Sequence, residues 1–162
     1  MIKIIEVQTA TELEQVKDLF RAYFQFLVHV HDLEISEQAL EEELASLPGK
    51  FAPPDGRLMM AIMSEEAIGC AALRRISEQV CELKRMFVLP QFRGQGAGKA
   101  LANKLIEVAR TIGYERIRLD TGDSWMAAIH LYESLGFQRI EPENEVPEDL
   151  RKISIFMELR LN

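Results

Sequence analysis

Gln91-Phe92-Arg93-Gly94-Gln95-Gly96-Ala97-Gly98-Lys99 sets three alternate glycines, an arginine before them and a lysine after, between two segments of opposite periodicity. Upstream, Gln79 to Leu89 reads as a strand closed by Pro90. Downstream, Leu101, Leu105, Val108 and Ile112 repeat at helical intervals until Gly113, where the helix should end. A strand, a glycine loop and a helix beginning near Ala97 together make a cradle for a phosphate. Glycine lets the backbone come close, the first amides of the helix point at the anion, and Arg93 or Lys99 adds charge from the side.

The spacing narrows the choice of phosphate ligand. A nucleotide P-loop needs two glycines five apart and then Lys with Ser or Thr, whereas Gly94 to Gly98 is one residue short and Ala100 follows Lys99. A dinucleotide fingerprint needs G-x-G-x-x-G close to the first strand of a βαβ unit, but Gly94, Gly96 and Gly98 give G-x-G-x-G after several strands. Neither ATP nor NAD is expected. A diphosphate on another carrier fits the loop, and a glycine-rich corner with no ligand is the plain alternative.

Before the loop, Ile2 to Val7 reads as a first strand, and Thr11-Glu12-Leu13-Glu14 offers a capping box for a helix carrying Leu13, Val16, Phe20, Tyr23 and Leu27 on one face. Ser36 opens a shorter helix with Leu40, Leu44 and Leu47 inward, ended by Pro48-Gly49, and Pro53-Pro54-Asp55-Gly56 is a turn. Arg57 to Met63, Ala67 to Ile76 and Gln79 to Leu89 are joined by short polar turns and predict an antiparallel meander. Beyond Gly113, Arg116 to Thr121 reads as a strand, and Trp125 to Leu135 as a helix between a Ser124 cap and Gly136. Phe137 to Ile140 returns as a strand. A polar stretch from Glu141 to Arg151 then leads to a last strand from Ile153 to Leu161. The fold class is α/β, a mixed sheet flanked by helices.

A chain of 162 residues with 48% hydrophobic content suits one domain with a real core, here residues 1–162 as a unit. The formal charge of −7 leaves no basic face for nucleic acid, and no apolar run approaches a membrane span. With no signal-peptide layout at the start, a cytoplasmic protein is expected. Cys70 and Cys81 read as buried thiols, and no metal site is expected.

Arg93-Gly94-Gln95-Gly96-Ala97-Gly98, following Glu82-Leu83-Lys84-Arg85-Met86-Phe87-Val88, closely resembles the acyl-CoA motif of the GNAT acetyltransferase superfamily, whose Q/R-x-x-G-x-G/A core fits at Arg93, Gly96 and Gly98. Ala128-Ile129-His130-Leu131-Tyr132-Glu133-Ser134-Leu135-Gly136-Phe137 is similar to the family's second motif. The order of elements, β-α-α-β-β-β-α-β-α-β-β, resembles the family's along nearly the whole chain. The resemblance implies an acetyl-CoA-dependent N-acetyltransferase. Met86, Phe87, Val88 and the run Arg93, Gly94, Gln95, Gly96, Ala97, Gly98 and Lys99 would hold acetyl-CoA as co-substrate, with no metal. The acceptor would be a small-molecule or peptide amine, and a homodimer is compatible with the family. The rival readings are a non-catalytic acyl-CoA sensor and an acyltransferase with another acyl donor or a hydroxyl acceptor.

Acetyl transfer from a thioester needs a neutral amine, a donor to the carbonyl oxygen and a proton for the departing thiolate. By the resemblance, the fourth and fifth strands splay so that backbone amides near Phe87 and Val88 serve the carbonyl. Tyr132 matches the tyrosine that protonates the sulfur, and Glu82 matches a carboxylate that takes the amine's proton. Read from the residues alone, Tyr132 is a helix tyrosine beside Leu131 and Leu135, Phe87 a core aromatic, and Glu82 a cross-strand partner of neighbouring cations. Asp120 and Asp123 are further carboxylates or turn residues. Trp125 stands where the family commonly has an asparagine, and would pack on the pantetheine arm or wall the acceptor site. Tyr23, Phe26, His29 and His31, with Phe51, are candidates for the acceptor wall.

Overall fold

The computed structural model describes residues 1–142 and 146–162. Strand β1 (Ile2–Glu6) is followed by helices α1 (Ala10–His29) and α2 (Glu37–Ser46) and by strands β2 (Arg57–Met63), β3 (Glu66–Arg75) and β4 (Val80–Val88). Then come α3 (Ala97–Ile112), β5 (Arg116–Gly122), α4 (Met126–Ser134), β6 (Gln138–Ile140), the short α5 (Glu148–Arg151) and β7 (Ser154–Arg160). The expected order is present, with α5 as an addition inside the polar stretch. The middle of that stretch, 143–145, lies outside the described residues.

The seven strands form one sheet in the order β1-β2-β3-β4-β5-β7-β6, antiparallel throughout except at β4 and β5. That parallel step is the crossover through α3, which needs a helix of this length to return the chain to the same sheet end. Alternation along the strands divides the core in two. On one face Leu73, Leu83, Ile117 and Met157 pack against Leu101 and Leu105 of α3 and Tyr132 of α4. On the other, Met60, Cys70, Ala72 and Phe87 pack against Val16 and Phe20 of α1 and Leu44 of α2. Cys70 and Cys81 are both buried and free.

Local starts and stops differ from expectation in two places. The capping box of α1 is Thr9 with Glu12: Glu12 N–H donates to Thr9 Oγ1 at 3.1 Å, and Thr9 N–H donates to Glu12 Oε1 at 3.0 Å. Helix α1 therefore begins at Ala10, ahead of the Thr11 start. Helix α4 has Trp125 at its N-cap with no side-chain cap, so Ser124 does not serve there. Ser36 does cap α2, accepting from the Ala39 N–H at 3.1 Å.

Two departures from regular pairing shape the centre of the sheet. Strands β4 and β5 are in register only at Val80 with Arg116, Cys81 with Ile117 and Glu82 with Arg118, and then diverge. On the other side of β4, the register with β3 shifts between Cys70 and Ala72, and Arg85 takes the left-handed φ of 56°. Two residues of β4, Arg85 and Met86, oppose the single Ala71, which is a β-bulge. It reverses the alternation: Leu83 faces α3, whereas Phe87 faces α1.

Candidate active site

The divergence of β4 from β5 opens a cavity of about 550 Å³ at the sheet centre. One wall is Met86, Phe87 and Val88 of β4, whose edge toward β5 has no strand beside it after Glu82. Arg93, Gly94 and Gly96 of the loop form the floor, continued by Ala97, Gly98 and Lys99 at the start of α3. The opposite wall is Tyr23, Phe26 and His31 with Trp125, Met126 and Leu131. Gln95 is exposed and lies outside the lining.

The loop geometry suits an anion. Gly94 and Gly96 have φ of 80° and 92°, the left-handed region that favours glycine, and no atom lies within 4 Å of where a Cβ would stand on either. The space beside the loop backbone is therefore open. Gly96 is the N-cap of α3 without a side-chain cap, and the first helical bond runs from Ala100 N–H to Gly96 O at 3.0 Å. Among the described residues, the N–H groups of Gly94 to Lys99 have no protein acceptor. A run of unpaired amides at a helix start is an anion nest. Arg93 folds over the cavity: its Nε donates to Val88 O at 3.0 Å, and its guanidinium lies 4.6 Å from the Phe26 ring centre.

Phe87 is both things the sequence allowed, a core aromatic and a cavity wall. It is 4% exposed and packs at 5.3 Å on Tyr23 and 5.8 Å on Phe26. Trp125 walls the opening, its ring 4.5 Å from His31, which in turn sits 4.8 Å from Phe26. Of the other residues considered for the acceptor wall, His29 is exposed away from this cluster, and Phe51 belongs to the core, 1% exposed and edge-on to Phe20 at 6.5 Å.

Tyr132 rises from α4 behind the lining, 4% exposed, with its ring against Phe137 at 5.7 Å. Its hydroxyl has no hydrogen-bond partner among the described residues, and every fully buried side-chain N or O atom there has one, so the hydroxyl reaches accessible space. Burial, with smaller contributions from Tyr23 and Asp120, raises the phenol's pKa above the ordinary tyrosine value. Tyr132 is therefore a neutral O–H with a free donor at any ordinary pH. Burial likewise pushes Tyr23 up to about 12, and Arg85 opposes the shift.

Glu82 occupies the last rung that β4 and β5 share, on the face of the sheet toward α1. Arg74 Nε donates to it at 2.7 Å, and Lys84 Nζ lies at 3.8 Å. Asp120, two residues beyond the last paired residue of β5, lies 3.9 Å from the same Lys84 ammonium and is the more exposed carboxylate. Asp123 is a turn residue whose N–H donates to Ile153 O at 2.9 Å. Among the described residues no cluster of metal-ligating side chains occurs, and no helix is long and apolar enough to cross a membrane.

Known proteins with this arrangement are acetyltransferases. An uncharacterised N-acetyltransferase of Schizosaccharomyces pombe is 33% identical over 144 residues, 86% of this chain and 88% of that protein. A GNAT-family acetyltransferase of Staphylococcus aureus superposes with a TM-score of 0.80 at 22% identity, covering all of both chains. The PaiA N-acetyltransferase of Thermoplasma acidophilum, solved in complex with coenzyme A, superposes with a TM-score of 0.74 at 18% identity over 99% of both chains. Residues 13–137 match the model of the acetyltransferase (GNAT) family, and the chain belongs to that family.

Proposed function

We propose that this acetyltransferase moves the acetyl group of acetyl-CoA directly onto a primary amine. The observation that carries the reading is the row of unpaired amides from Gly94 to Lys99 beside a cavity walled by the open β4 edge at Met86 to Val88. The amides and Lys99 suit a diphosphate, and Met86 to Val88 offer an open strand edge to the pantetheine arm. A backbone N–H on that edge polarises the thioester carbonyl as negative charge develops on oxygen. The amine nitrogen bonds to the acetyl carbon, the carbon–sulfur pair leaves with sulfur, and the Tyr132 O–H supplies the thiol's proton. The proton shed by the amine has two carboxylates where β4 and β5 part, Glu82 on the last paired rung and Asp120 two residues past it.

Calorimetric titration of acetyl-CoA tests the cradle. Gly96→Glu puts a negative side chain into the open space by the loop and should weaken binding at least tenfold. Gly96→Ala controls for the strained backbone, and a thermal melt checks folding. Equal affinity for Gly96→Glu and Gly96→Ala removes the diphosphate assignment. A sensor without turnover would bind acetyl-CoA but release no thiol with any amine.

A further inference from the structure

Two residues past the last rung that β4 and β5 share, Lys84 and Asp120 stand on the face toward α1. Their side chains meet at 3.9 Å, outside hydrogen-bond distance, and Lys84 stands 3.8 Å from Glu82. Among the described residues, neither the Lys84 ammonium nor the Asp120 carboxylate makes a hydrogen bond. The cations nearby are tied: Arg74 to Glu82 at 2.7 Å, Arg118 to Glu158 at 2.7 Å, and Arg85 to Glu43 at 2.9 Å. One positive and one negative group thus stand side by side where β4 and β5 part, on the sheet face from which Phe87 lines the cavity, with donors and lone pairs unused. Asp120 contributes to the raised pKa of both Tyr23, which lines the cavity, and Tyr132.

Such a pair complements a molecule that carries both charges on adjacent atoms. We propose that Lys84 and Asp120 hold a free α-amino acid as acceptor, Lys84 binding its carboxylate and Asp120 its ammonium. The inference rests on the acetyl transfer proposed above and names its acceptor class. A polyamine meets the Lys84 charge with its own, and a peptide N-terminus has no carboxylate adjacent to the amine, so both leave Lys84 without a partner. Asp120 takes one proton from the ammonium, and the neutral nitrogen attacks the acetyl carbon. The C–S pair departs on sulfur and takes the Tyr132 proton, and the proton then lost by the nitrogen restores the phenol. The sum is amino acid ammonium and acetyl thioester giving N-acetyl amino acid, free thiol and one proton.

Thiol release at saturating acetyl-CoA is measured with L-alanine, L-methionine and L-glutamate, each against its α-amide and the matching amine that lacks the α-carboxylate. At least one free amino acid should exceed its amide and amine about tenfold or more in kcat/KM. A charge-assisted hydrogen bond is worth roughly 1.5–3 kcal/mol, so Lys84→Met should raise that amino acid's KM about 10–100-fold and leave the amide's unchanged. Lys84→Arg should keep the preference. Asp120→Asn should lower kcat for amino acid and amide alike without moving the calorimetric affinity for acetyl-CoA. Amides or amines used as well as their amino acids, or a Lys84→Met variant with the wild-type preference, overturn the acceptor assignment and leave acetyl transfer standing. Wild-type protein that fails to bind acetyl-CoA overturns both.

Discussion

Arg85 donates to both oxygens of Glu43, from Nε at 2.9 Å and from Nη2 at 2.5 Å, and so ties the β4 bulge to helix α2. Burial works against the Arg85 charge, but the hydrogen bonds and charge of Glu43 outweigh it and raise the guanidinium's pKa. The pair also holds Arg85 at its positive φ, a conformation that costs a non-glycine residue about 1–2 kcal/mol. Removing one partner of a fully buried ion pair costs about 3–5 kcal/mol, and the residual exposure here of 19% and 13% lowers that. Glu43→Ala should therefore cost about 2–3 kcal/mol in urea unfolding. Because the bulge aims Met86, Phe87 and Val88, the same variant should also weaken acetyl-CoA binding several-fold. A loss of stability with unchanged affinity would show that the bulge holds its course without Glu43.

Tyr132→Phe separates chemistry from folding. The hydroxyl bonds to no described residue, so its removal leaves no orphaned partner and the melting temperature should stay within about 2 °C, equivalent to roughly 0.5 kcal/mol. If the hydroxyl protonates sulfur, kcat should fall about 10²-fold with little change in acetyl-CoA affinity. The raised pKa keeps the phenol protonated well past pH 10, so an alkaline fall in kcat below that pH belongs to another group. Turnover at the wild-type rate would remove Tyr132 from the mechanism.

The loop and the element order were legible because each depends on local spacing: alternate glycines, period 3.6 after Ala97, period 2 before Val88; the role of Met86 to Val88 came only with the family resemblance. What was not legible depends on pairing across the chain. The hydrophobic run Met86-Phe87-Val88 conceals a bulge, since a regular strand would have put Leu83 and Phe87 on one face and the structure puts them on opposite faces. The relation of Lys84 to Asp120 exists only because Glu82 is in register with Arg118 and pairing then stops. Phe51 lies in a loop yet is core, because the turn at Gly49–Phe51 tucks it against Phe20, which no periodicity announces. Glu82 read as catalytic or as a cross-strand partner, and its 2.7 Å contact with Arg74 makes the second of these a fact of the structure.

Trp125 closes the cavity by stacking on His31, and it stays there because residue 122 is glycine. A Cβ at Gly122 would stand 2.5 Å from the Trp125 ring. Gly122→Ala should expel the ring and behave like Trp125→Ala. Both variants should raise kcat/KM for bulky primary amines relative to small ones, by about 3–10-fold if the lost aromatic contact is worth about 0.5–1.5 kcal/mol. Gly122→Ala with the wild-type amine preference would mean that the ring keeps its place by another route.

Four buried groups make stability fall in alkali. Burial pushes Cys70 and Cys81 up to about 12 and Tyr23 up to about 12, and it raises Tyr132 as well. In the unfolded chain thiols ionise near pH 8.5 and tyrosines near pH 10, to order of magnitude. Between those values and the folded ones the unfolded chain has lost protons that the native state keeps, so rising pH favours unfolding. The stabilisation is therefore complete below about pH 8 and declines toward pH 12, each thiol contributing at most about 1.4 kcal/mol per pH unit above its unfolded pKa. The urea midpoint should drop steadily from pH 8 to pH 10.5. Cys70→Ala with Cys81→Ala should start lower at pH 7, having lost two buried sulfurs, and should then fall less steeply until the tyrosines begin to ionise. Parallel slopes for wild type and double variant would show that the thiols are not what the alkaline loss reports.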